Sequence, residues 1–374
     1  MRAGLDDLRD LFVRLAGIRS PSLGERAMAD AVKDFVRGLG FEAAEDASSV
    51  LTGGDCGNLV VRVPGRGEGT RVALCAHLDT VPLERAPTVI VENGLVRTDG
   101  ETILGADDKA AVTVLLLLLR DLAHEPPAAD VEVLFTVAEE IGLQGAAALD
   151  PSLLAAAAVF VLDSEGAPGT VITAAPSLKA VTAEFRGVAA HAGIEPQNGR
   201  SAILAAARAL AAMHLGRIDE ETTANAGLIE GGSAVNIVAE RCVVHAEARS
   251  RDEGKLAAQV AGMVEALTVA AAETGVDVEI DVHESFRGYA HAAASLPLRI
   301  AAAALAETGL EARLIGGGGG SDANVFNARG LPALTLGVGF ERVHSPHECI
   351  PLERLEQLYR LGHALVRAAG RTPA

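Results

Sequence analysis

The sequence predicts an α/β protein: a mostly parallel sheet with helices on both faces, interrupted by an inserted ferredoxin-like α+β domain. Short apolar runs alternate with segments of helical periodicity up to about residue 163, and the same alternation returns after residue 295. Between them the order is strand, helix, strand, strand, helix, strand. We therefore expect one domain from residues 1–177 and 289–374, and the inserted domain at residues 178–288.

The first half of the chain supplies most of the predicted parallel sheet. Short apolar runs bounded by turn residues are typical of buried strands, which we place at residues 58–63, 71–76, 131–137 and 156–162. Apolar residues at helical spacing predict helices at residues 6–18, 25–39, 109–122 and, as a short piece, 145–149. Pro64-Gly65 ends the first strand, and Pro126-Pro127 closes the third helix.

The inserted segment has a different pattern. Residues 179–185 and 276–282 alternate between apolar and polar side chains, which is typical of strands with one exposed face. The other elements expected there are helices at 201–213 and 255–274 and strands at 226–230 and 241–248. The α/β alternation then resumes with helix 296–308, strand 331–337 and helix 352–369.

Charge and hydropathy limit the partners. Lys and Arg total 32 and Asp and Glu total 50, so the formal net charge is −18. A nucleic-acid backbone or an anionic membrane would require a basic face, so we expect neither as a partner. Residues 110–119 are apolar except for one threonine, but this run is about half the length of a membrane span and indicates a buried helix.

The cysteines and the start of the chain indicate a compartment. The four cysteines (Cys56, Cys75, Cys242 and Cys349) are widely scattered without a CxxC pair, which indicates reduced thiols rather than a disulfide or zinc framework. Three aspartates lie in the first ten residues, and no apolar signal-peptide core follows them. We therefore expect a cytoplasmic protein.

Polar side chains gather after the predicted strands. They are His77 and Asp79 after strand 71–76, Glu139 and Glu140 after 131–137, Asp163 after 156–162, and His344 and His347 after 331–337. Ligands bind at the carboxyl edge of such sheets, so we expect these groups to converge there. Asp107 and Asp108 precede the helix at 109–122, where anionic groups are favoured.

Each of these groups also has an ordinary interpretation. Asp107 and Asp108 could be a helix N-cap pair, Glu139 and Glu140 a solvated loop, and the histidines surface residues. Their coincidence favours another interpretation, because several carboxylates at one edge need a counter-charge. Histidine and carboxylate ligands without thiolates suit Zn²⁺, Mn²⁺ or Co²⁺. The donors suffice for two metal ions, an arrangement known from hydrolysis of amides and phosphates.

Seven runs of residues carry a resemblance to a known family. They are ALCAHLDTVP (residues 73–82), LGADDKA (104–110), FTVAEEIG (135–142), VLDSEG (161–166), AHAGIEPQNGR (190–200), GGGSDANVF (318–326) and HSPHECIP (344–351). In these runs the chain resembles the co-catalytic dinuclear zinc peptidases that include peptidase T, glutamate carboxypeptidase and succinyl-diaminopimelate desuccinylase. It looks most like the peptidase T-like branch. The runs follow the family order over nearly the whole chain.

The resemblance implies a role for each converging residue. The implied ligands of two zinc ions are His77 and Asp163 for one ion, Glu140 and His344 for the other, and Asp107 as the bridging carboxylate. Glu139 resembles the general base, and Asp79 resembles the acid that orients a histidine ligand. His344 is chosen over His347 because the family ligand stands four residues before a glutamate, here Glu348.

The resemblance also places functional residues in the inserted domain, which would act as a lid and dimerisation domain. His191 matches a histidine that reaches the active site of the partner subunit in a homodimer and stabilises the oxyanion. Asn236 and Arg249 resemble residues that contact the substrate; Arg249 could equally be a surface charge. The glycine run, with Gly319, lets the backbone approach the substrate. Tripeptidases of the family have an arginine where Gly318 stands, so a strict tripeptidase is not expected.

The resulting prediction is a metal-dependent peptidase that hydrolyses amide bonds in small peptides, as an aminopeptidase or in the opposite direction. The same metals could instead hydrolyse N-acyl or N-carbamoyl amino acids. A catalytically inactive homologue that serves as a binding scaffold is the non-enzyme alternative, which the full set of ligands and the base speak against. A serine hydrolase is disfavoured because the chain has no GxSxG motif.

Overall fold

The computed structural model describes residues 3–373, which form two compact units. The first unit contains the chain up to Thr173, Ala290–Gly316 and the chain from Ser321 onward. The second unit contains Ala174–Tyr289 together with Gly317–Gly320. The glycine run therefore contributes four residues to the second unit, although it lies far from the rest of that unit in the sequence.

The helices and strands are numbered in chain order. The helices are α1 Leu5–Ala16, α2 Arg26–Gly38, α3 Ser49–Thr52, α4 Ala106–His124, α5 Gln144–Ala148, α6 Ala202–Ala212, α7 Glu253–Thr274, α8 Leu296–Thr308, α9 Asp322–Ala328 and α10 Leu352–Arg371. The strands of the largest sheet are β1 Ala43–Glu45, β2 Leu59–Val63, β3 Val72–His77, β6 Val131–Thr136, β7 Ala158–Ser164, β8 Thr170–Ala175, β14 Tyr289–Ala290, β15 Arg313–Gly316 and β16 Ala333–Gly337. A small sheet contains β4 Val89–Glu92, β5 Leu95–Thr98 and β17 Cys349–Pro351. The second unit contains β9 Ser177–Arg186, β10 Gly216–Arg217, β11 Thr222–Gly231, β12 Arg241–Ser250 and β13 Asp277–Phe286.

The largest sheet has the order β1-β2-β6-β3-β7-β16-β8-β14, with β15 paired to β8. Its four central strands, β6, β3, β7 and β16, are parallel, whereas β1, β2 and β8 pair antiparallel. The central strands are apolar on both faces because both faces are covered. Leu74 and Phe160 lie in the core that includes α4, α8 and α10, and Cys75 on the opposite face contacts α9. The predicted fold class is confirmed, with antiparallel strands added on both sides of the parallel centre.

The second unit is a five-stranded antiparallel sheet with the order β10-β11-β12-β9-β13. Without the short β10, this is the strand order of the predicted ferredoxin-like fold. Alternate residues of β9, namely Val181, Ala183 and Phe185, are buried in a second hydrophobic core with one side of α6 and of α7. By length and hydropathy α7 could also span a membrane, but its Leu256 and Met263 lie in this core.

Candidate metal centre

The carboxyl ends of three neighbouring parallel strands meet at one edge of the large sheet. His77 is the last residue of β3 and pairs with Thr136, the last residue of β6. Asp163 lies near the end of β7, on the other side of β3. Because parallel strands end on the same side of a sheet, the residues that follow β3, β6 and β7 come together.

Two sets of three side chains at this edge have metal-ligand spacing. The sets are His77, Glu139 and Asp163, and His77, Asp107 and Glu140; within each set the donor atoms lie within 4.8 Å of one another. Nε2 of His77 is 3.2 Å from Oδ1 of Asp107 and 3.9 Å from Oδ1 of Asp163. The sequence-predicted ligands are thus neighbours in space, although 86 residues separate His77 from Asp163 in the sequence (163 − 77).

Asp107 lies between the two histidines. Its Oδ1 faces Nε2 of His77 at 3.2 Å, and its Oδ2 faces Nε2 of His344 at 3.3 Å. Nε2 of His344 also lies 3.0 Å from Oε1 of Glu140. One carboxylate with an oxygen towards each histidine is the geometry that a bridging ligand of two metal ions needs.

Asp79 organises the loop that carries both glutamates. Its Oδ1 accepts the backbone N–H of Glu139 at 3.0 Å, and its Oδ2 accepts the backbone N–H of Glu140 at 3.1 Å and the hydroxyl of Ser22 at 2.7 Å. Nδ1 of His77 is 3.0 Å from the carbonyl oxygen of Asp79 and 3.3 Å from its Oδ1. Asp79 therefore orients a histidine and also fixes the backbone of the two glutamates, a second contact that the sequence did not indicate.

The cluster holds more negative charge than its own histidines balance. Burial and the charge of Asp163 raise the pKa of Glu139 well above its usual range. Burial and the charge of Asp107 do the same to the pKa of Asp163. Asp108 is fully buried, and its Oδ1 has no hydrogen-bond partner among residues 3–373. A group of carboxylates that resists ionisation in this way fits a cation bound among them.

The histidines are held by the same carboxylates. Burial lowers the pKa of His77, but its hydrogen bonds to Asp107 and Asp79 outweigh burial and hold that pKa well above its usual range. Hydrogen bonds to Asp107 and Glu140 raise the pKa of His344 to about 10. Two imidazoles and several carboxylates, without thiolate, form a donor set that suits Zn²⁺, Mn²⁺ or Co²⁺. The residues present therefore fit divalent metal ions.

Glu348 stabilises the backbone next to the metal centre. The sequence indicated no role for it. It is buried, and its carboxylate accepts the backbone N–H groups of Leu104, Gly105 and Asp107 at 2.8, 2.7 and 3.0 Å. These contacts hold the loop that presents the Asp107 side chain. The sequence shows only that Glu348 follows His344 by four residues, and no spacing rule relates it to a loop 240 residues earlier.

Asp322 is a second buried acid near this edge to which the sequence gave no role. It is 1% exposed, and its Oδ2 accepts the hydroxyl of Thr136 at 2.6 Å. Burial raises its pKa to about 6. It begins α9 after Ser321, the N-cap residue that follows the glycine run. The motif GGGSDANVF was visible in the sequence, but the burial of its acid was not.

The two candidate histidines of the last motif lie in different surroundings. His344 is part of the cluster, with its side chain 48% exposed. His347 lines a separate depression together with Arg97, Arg342 and Pro346, and its backbone N–H donates to the hydroxyl of Ser345 at 3.3 Å. The geometry therefore favours His344 as the ligand.

The remaining predicted site residues belong to the second unit. His191 and Asn236 are exposed and lie on adjacent loops, because the backbone N–H of Ala192 donates to the carbonyl of Asn236 at 2.9 Å. Gly319 is exposed in the glycine run. The guanidinium of Arg249 donates to both oxygens of Glu247 at 2.8 and 3.1 Å. Arg249 thus has a carboxylate partner on its own strand, which a substrate carboxylate would have to displace.

An α/β sheet whose carboxyl edge gathers two histidines and several carboxylates at metal-ligand distances defines a class of protein, the metal-dependent hydrolases. The sequence profile described as Peptidase family M20/M25/M40 matches residues 73–368. The chain belongs to this family, and within it to the peptidase T-like branch.

Individual relatives agree with this assignment over nearly the full chain. "Uncharacterized protein YqjE" of Bacillus subtilis (strain 168) is 39% identical over 365 residues, covering 97% of this chain and 98% of that protein. The solved structure of aminopeptidase PepT from Bacillus cereus ATCC 10987 is 37% identical, with a TM-score of 0.85 and coverage of 98% and 99%. That of a tripeptidase from Staphylococcus aureus subsp. aureus mu50 is 34% identical, with a TM-score of 0.91 and full coverage of both chains.

Proposed function

We propose that this protein is a dinuclear zinc metallopeptidase that hydrolyses amide bonds in small peptides. One observation carries the proposal: Asp107 directs one oxygen to His77 and the other to His344, with Asp163 beside the first histidine and Glu140 beside the second. This arrangement provides a pair of adjacent ion positions that share a carboxylate. Two of the three reported relatives are named as an aminopeptidase and a tripeptidase, which supports peptides as the substrate class.

The ligands of the proposed centre divide between two ions. His77 and Asp163 would hold one ion, Glu140 and His344 the other, and Asp107 both; Zn²⁺ suits these donors, and Mn²⁺ or Co²⁺ could replace it. When bound, such ions polarise a carbonyl group and lower the pKa of water. The surrounding protein fixes the ligands, because the carbonyl and carboxylate of Asp79 face Nδ1 of His77 and leave Nε2 for the ion.

Glu139 is the proposed general base. It is buried at the edge of the cluster, where burial and the charge of Asp163 raise the pKa of its carboxyl above its usual range. A carboxylate at this position can act as a proton acceptor and donor in the reaction. It would take the proton from the attacking water and deliver it to the leaving amine. Oδ1 of Asp79 accepts the backbone N–H of Glu139 at 3.0 Å and so holds the proposed base in place.

We extend the proposal to the second unit. His191 would donate a hydrogen bond to the developing oxyanion, in the active site of the partner subunit of a homodimer. Asn236, Arg249 and the backbone at Gly319 would contact the peptide. This extension rests on the family resemblance and on the exposure of His191, Asn236 and Gly319. The bond between Arg249 and Glu247 makes Arg249 the weakest member of the set.

A substrate panel tests the proposed function. Metal-free protein is reloaded with Zn²⁺, Mn²⁺ or Co²⁺ and offered dipeptides, tripeptides blocked at either end, N-acetyl amino acids and N-carbamoyl amino acids. We expect release of amino acids from unblocked small peptides, and the blocked tripeptides give the direction of cleavage. Because glycine stands at residue 318, where tripeptidases of the family have arginine, we do not expect a strict requirement for tripeptides.

Other outcomes of this panel would correct the proposal. Cleavage confined to N-acyl or N-carbamoyl amino acids would change the substrate class and leave the metal centre unchanged. No bound metal after mild preparation, together with no activity after addition of any of the three metals, would overturn the enzyme assignment and favour a scaffold function.

A further inference from the structure

Three side chains at the beginning of α2 form a second group of potential metal ligands. Donor atoms of Glu25, Asp55 and Cys56 lie within 4.8 Å of one another. Glu25 and Cys56 are fully buried, whereas Asp55 is exposed. The group shares no residue with the proposed zinc centre, and it contains a thiol, which that centre lacks.

The two carboxylate oxygens of Glu25 differ in their partners. Its Oε1 accepts the backbone N–H groups of Leu23 at 3.0 Å and of Ala138 at 2.9 Å. Its Oε2 is buried and, within the described part of the chain, has no hydrogen-bond partner. Burial and the charge of Asp79 raise the pKa of Glu25 to about 7. A buried carboxylate oxygen without a partner is unfavourable, and a ligand of opposite charge would satisfy it.

The neighbouring cation, Arg26, has other partners. The guanidinium of Arg26 donates to both oxygens of Glu45, at 3.0 and 2.6 Å, and to the carbonyl oxygen of Asp55. Its charge is therefore balanced by Glu45, whose pKa falls to about 2 because of that contact. The backbone N–H of Arg26 holds Oδ1 of Asp55 at 2.9 Å, which fixes this carboxylate next to Cys56.

We propose that Glu25, Asp55 and Cys56 bind a third divalent cation of borderline-soft character, such as Zn²⁺ or Co²⁺, with the Cys56 thiolate as a ligand. One thiolate and two carboxylates suit such ions better than Mg²⁺ or Ca²⁺, which require oxygen ligands only. Three protein ligands leave a fourth position for water, and the exposed Asp55 provides access from solvent. On binding, the Cys56 thiol loses its proton to solvent and its sulfur forms the bond to the ion.

The third site would also support the loop of the proposed base. Oε1 of Glu25 holds the N–H of Ala138, the residue directly before Glu139. Ala138 has a φ of 52°, in the left-handed region that an alanine rarely adopts, so this hydrogen bond helps to maintain an unfavourable turn. An ion on Oε2 would fix Glu25 and, through it, this turn.

Cobalt titration tests the proposal. The full-length, metal-free protein is titrated with Co²⁺ under anaerobic, reducing conditions, and bound equivalents and the near-ultraviolet spectrum are recorded. We expect a third equivalent and a thiolate-to-cobalt charge-transfer band, because only the proposed third site contains a cysteine. Cys56→Ser should remove the band and the third equivalent, and Glu25→Gln should weaken the third equivalent at least tenfold.

Matched variants distinguish metal binding at the third site from metal binding at the proposed zinc centre. Cys242→Ser changes a buried cysteine of the second unit and should retain the band. His77→Ala should lose ions from the zinc centre and also retain the band. If Cys56→Ser does not fold, Asp55→Ala at an exposed position should still weaken the third equivalent. Absence of the band in the unmodified protein, or its persistence in Cys56→Ser, would overturn the third site.

Discussion

The two compact units bury different kinds of side chain. Among residues 3–373, the buried charged or ionisable polar residues of the first unit are Glu25, His77, Asp79, Asp108, Lys109, Glu132, Glu139, Asp322, Glu348 and His363. In the second unit, all of whose residues are described, the buried polar residues are Ser177, Thr222 and Ser250, all uncharged. Yet both units carry acids and bases in their sequences, so composition alone does not reveal this difference.

The buried ionisable groups of the first unit indicate a chemical role, whereas the apolar core of the second unit indicates a structural one. Burying an ionisable group costs several kcal/mol unless a partner or a metal ion compensates. Six of these ten groups lie at or beside the candidate metal centre, namely His77, Asp79, Asp108, Glu139, Asp322 and Glu348. The second unit is built around an apolar core of small aliphatic residues, in which Phe185 is the largest side chain. We therefore expect substitutions of the buried charged residues near the centre to disturb metal binding and turnover, and substitutions at most positions of the second unit to change stability alone.

The largest effect is expected from Glu139→Gln. This change removes the proposed base but keeps the shape and the backbone N–H that Asp79 holds, so turnover should fall about 10³-fold while metal content persists. Steady-state kinetics and metal analysis of the same preparation measure both. Glu230→Gln, at an exposed position of the second unit, is the matched control and should behave as the unmodified protein. Loss of metal from Glu139→Gln would show that Glu139 is a ligand instead.

His191→Ala is the expected exception to the contrast between the two units, because this substitution in the second unit should impair catalysis. If His191 donates to the oxyanion, turnover should fall about 10²-fold with metal content unchanged. Because His191 is exposed, the melting temperature should stay the same. Mixing His191→Ala with Asp79→Ala should restore part of the activity if the histidine acts in a partner subunit; no recovery would remove that claim.

Glu348→Gln tests support of the centre through the backbone. The substitution keeps a side-chain oxygen but removes the charge that three backbone N–H groups share, so we expect metal affinity to fall about 10- to 100-fold. Competition with a chromogenic chelator measures this affinity. Glu247→Gln removes a charge that pairs with Arg249 in the second unit and should leave metal affinity unchanged. An equal loss in both variants would show a general effect of net charge.

Much of the fold follows from the sequence because its signals are local. The apolar runs that became β3, β6 and β7 are unambiguous, since strands buried on both faces consist of little else. The small sheet of β4, β5 and β17 was missed because its strands are three or four residues long and two of them are adjacent across a turn at Asn93-Gly94. Such pairing depends on a distant partner, here β17 from the far end of the chain.

The candidate site also contains features that follow from local sequence signals and features that depend on distant partners. The convergence of His77, Glu139 and Asp163 could be predicted, because each lies at or just after the carboxyl end of a parallel strand of one sheet. The contacts of Glu348 with the loop before Lys109, and of Glu25 with Ala138, could not, because they join segments more than 100 residues apart without any periodic pattern. Sequence position indicates which residues reach the edge, whereas the supporting hydrogen bonds depend on the packed structure.

Glu45→Gln tests the pH dependence of stability in the first unit. Its hydrogen bonds to Arg26 lower the pKa of Glu45 from 4.5 to about 2. The contact therefore stabilises the folded protein above pH 4.5, and this contribution is lost as pH falls from 4.5 towards 2. The variant should lose about 1–2 kcal/mol at pH 7 and progressively less below pH 4.5. Thermal unfolding at several pH values measures this difference.

A pair in the second unit provides the control for Glu45. Nη2 of Arg186 lies 2.7 Å from Oε2 of Glu279, but the side chains of Glu279 and Arg186 are 72% and 57% exposed. Solvent screens such a pair, so Glu279→Gln should leave stability unchanged at each of these pH values. A pH-independent loss in Glu45→Gln would show that its contribution comes from packing and not from charge.

Apart from the control variants, the smallest effect is expected from Asp252→Ala in the second unit. Oδ1 of Asp252 accepts the backbone N–H of Lys255 at 2.9 Å and caps α7, whose Leu256 and Met263 lie in the second core. Loss of this cap should lower the free energy of unfolding of the second unit by about 1 kcal/mol, and Asp252→Asn should retain most of it. Calorimetry of the holoprotein measures the change in unfolding free energy. The metal content should not change, because we expect this unit to be stabilised by its cap and its apolar core and not by the ions of the proposed centre. A loss of metal in Asp252→Ala would mean that the stability of the two units is coupled, and the contrast between them would then apply to composition only.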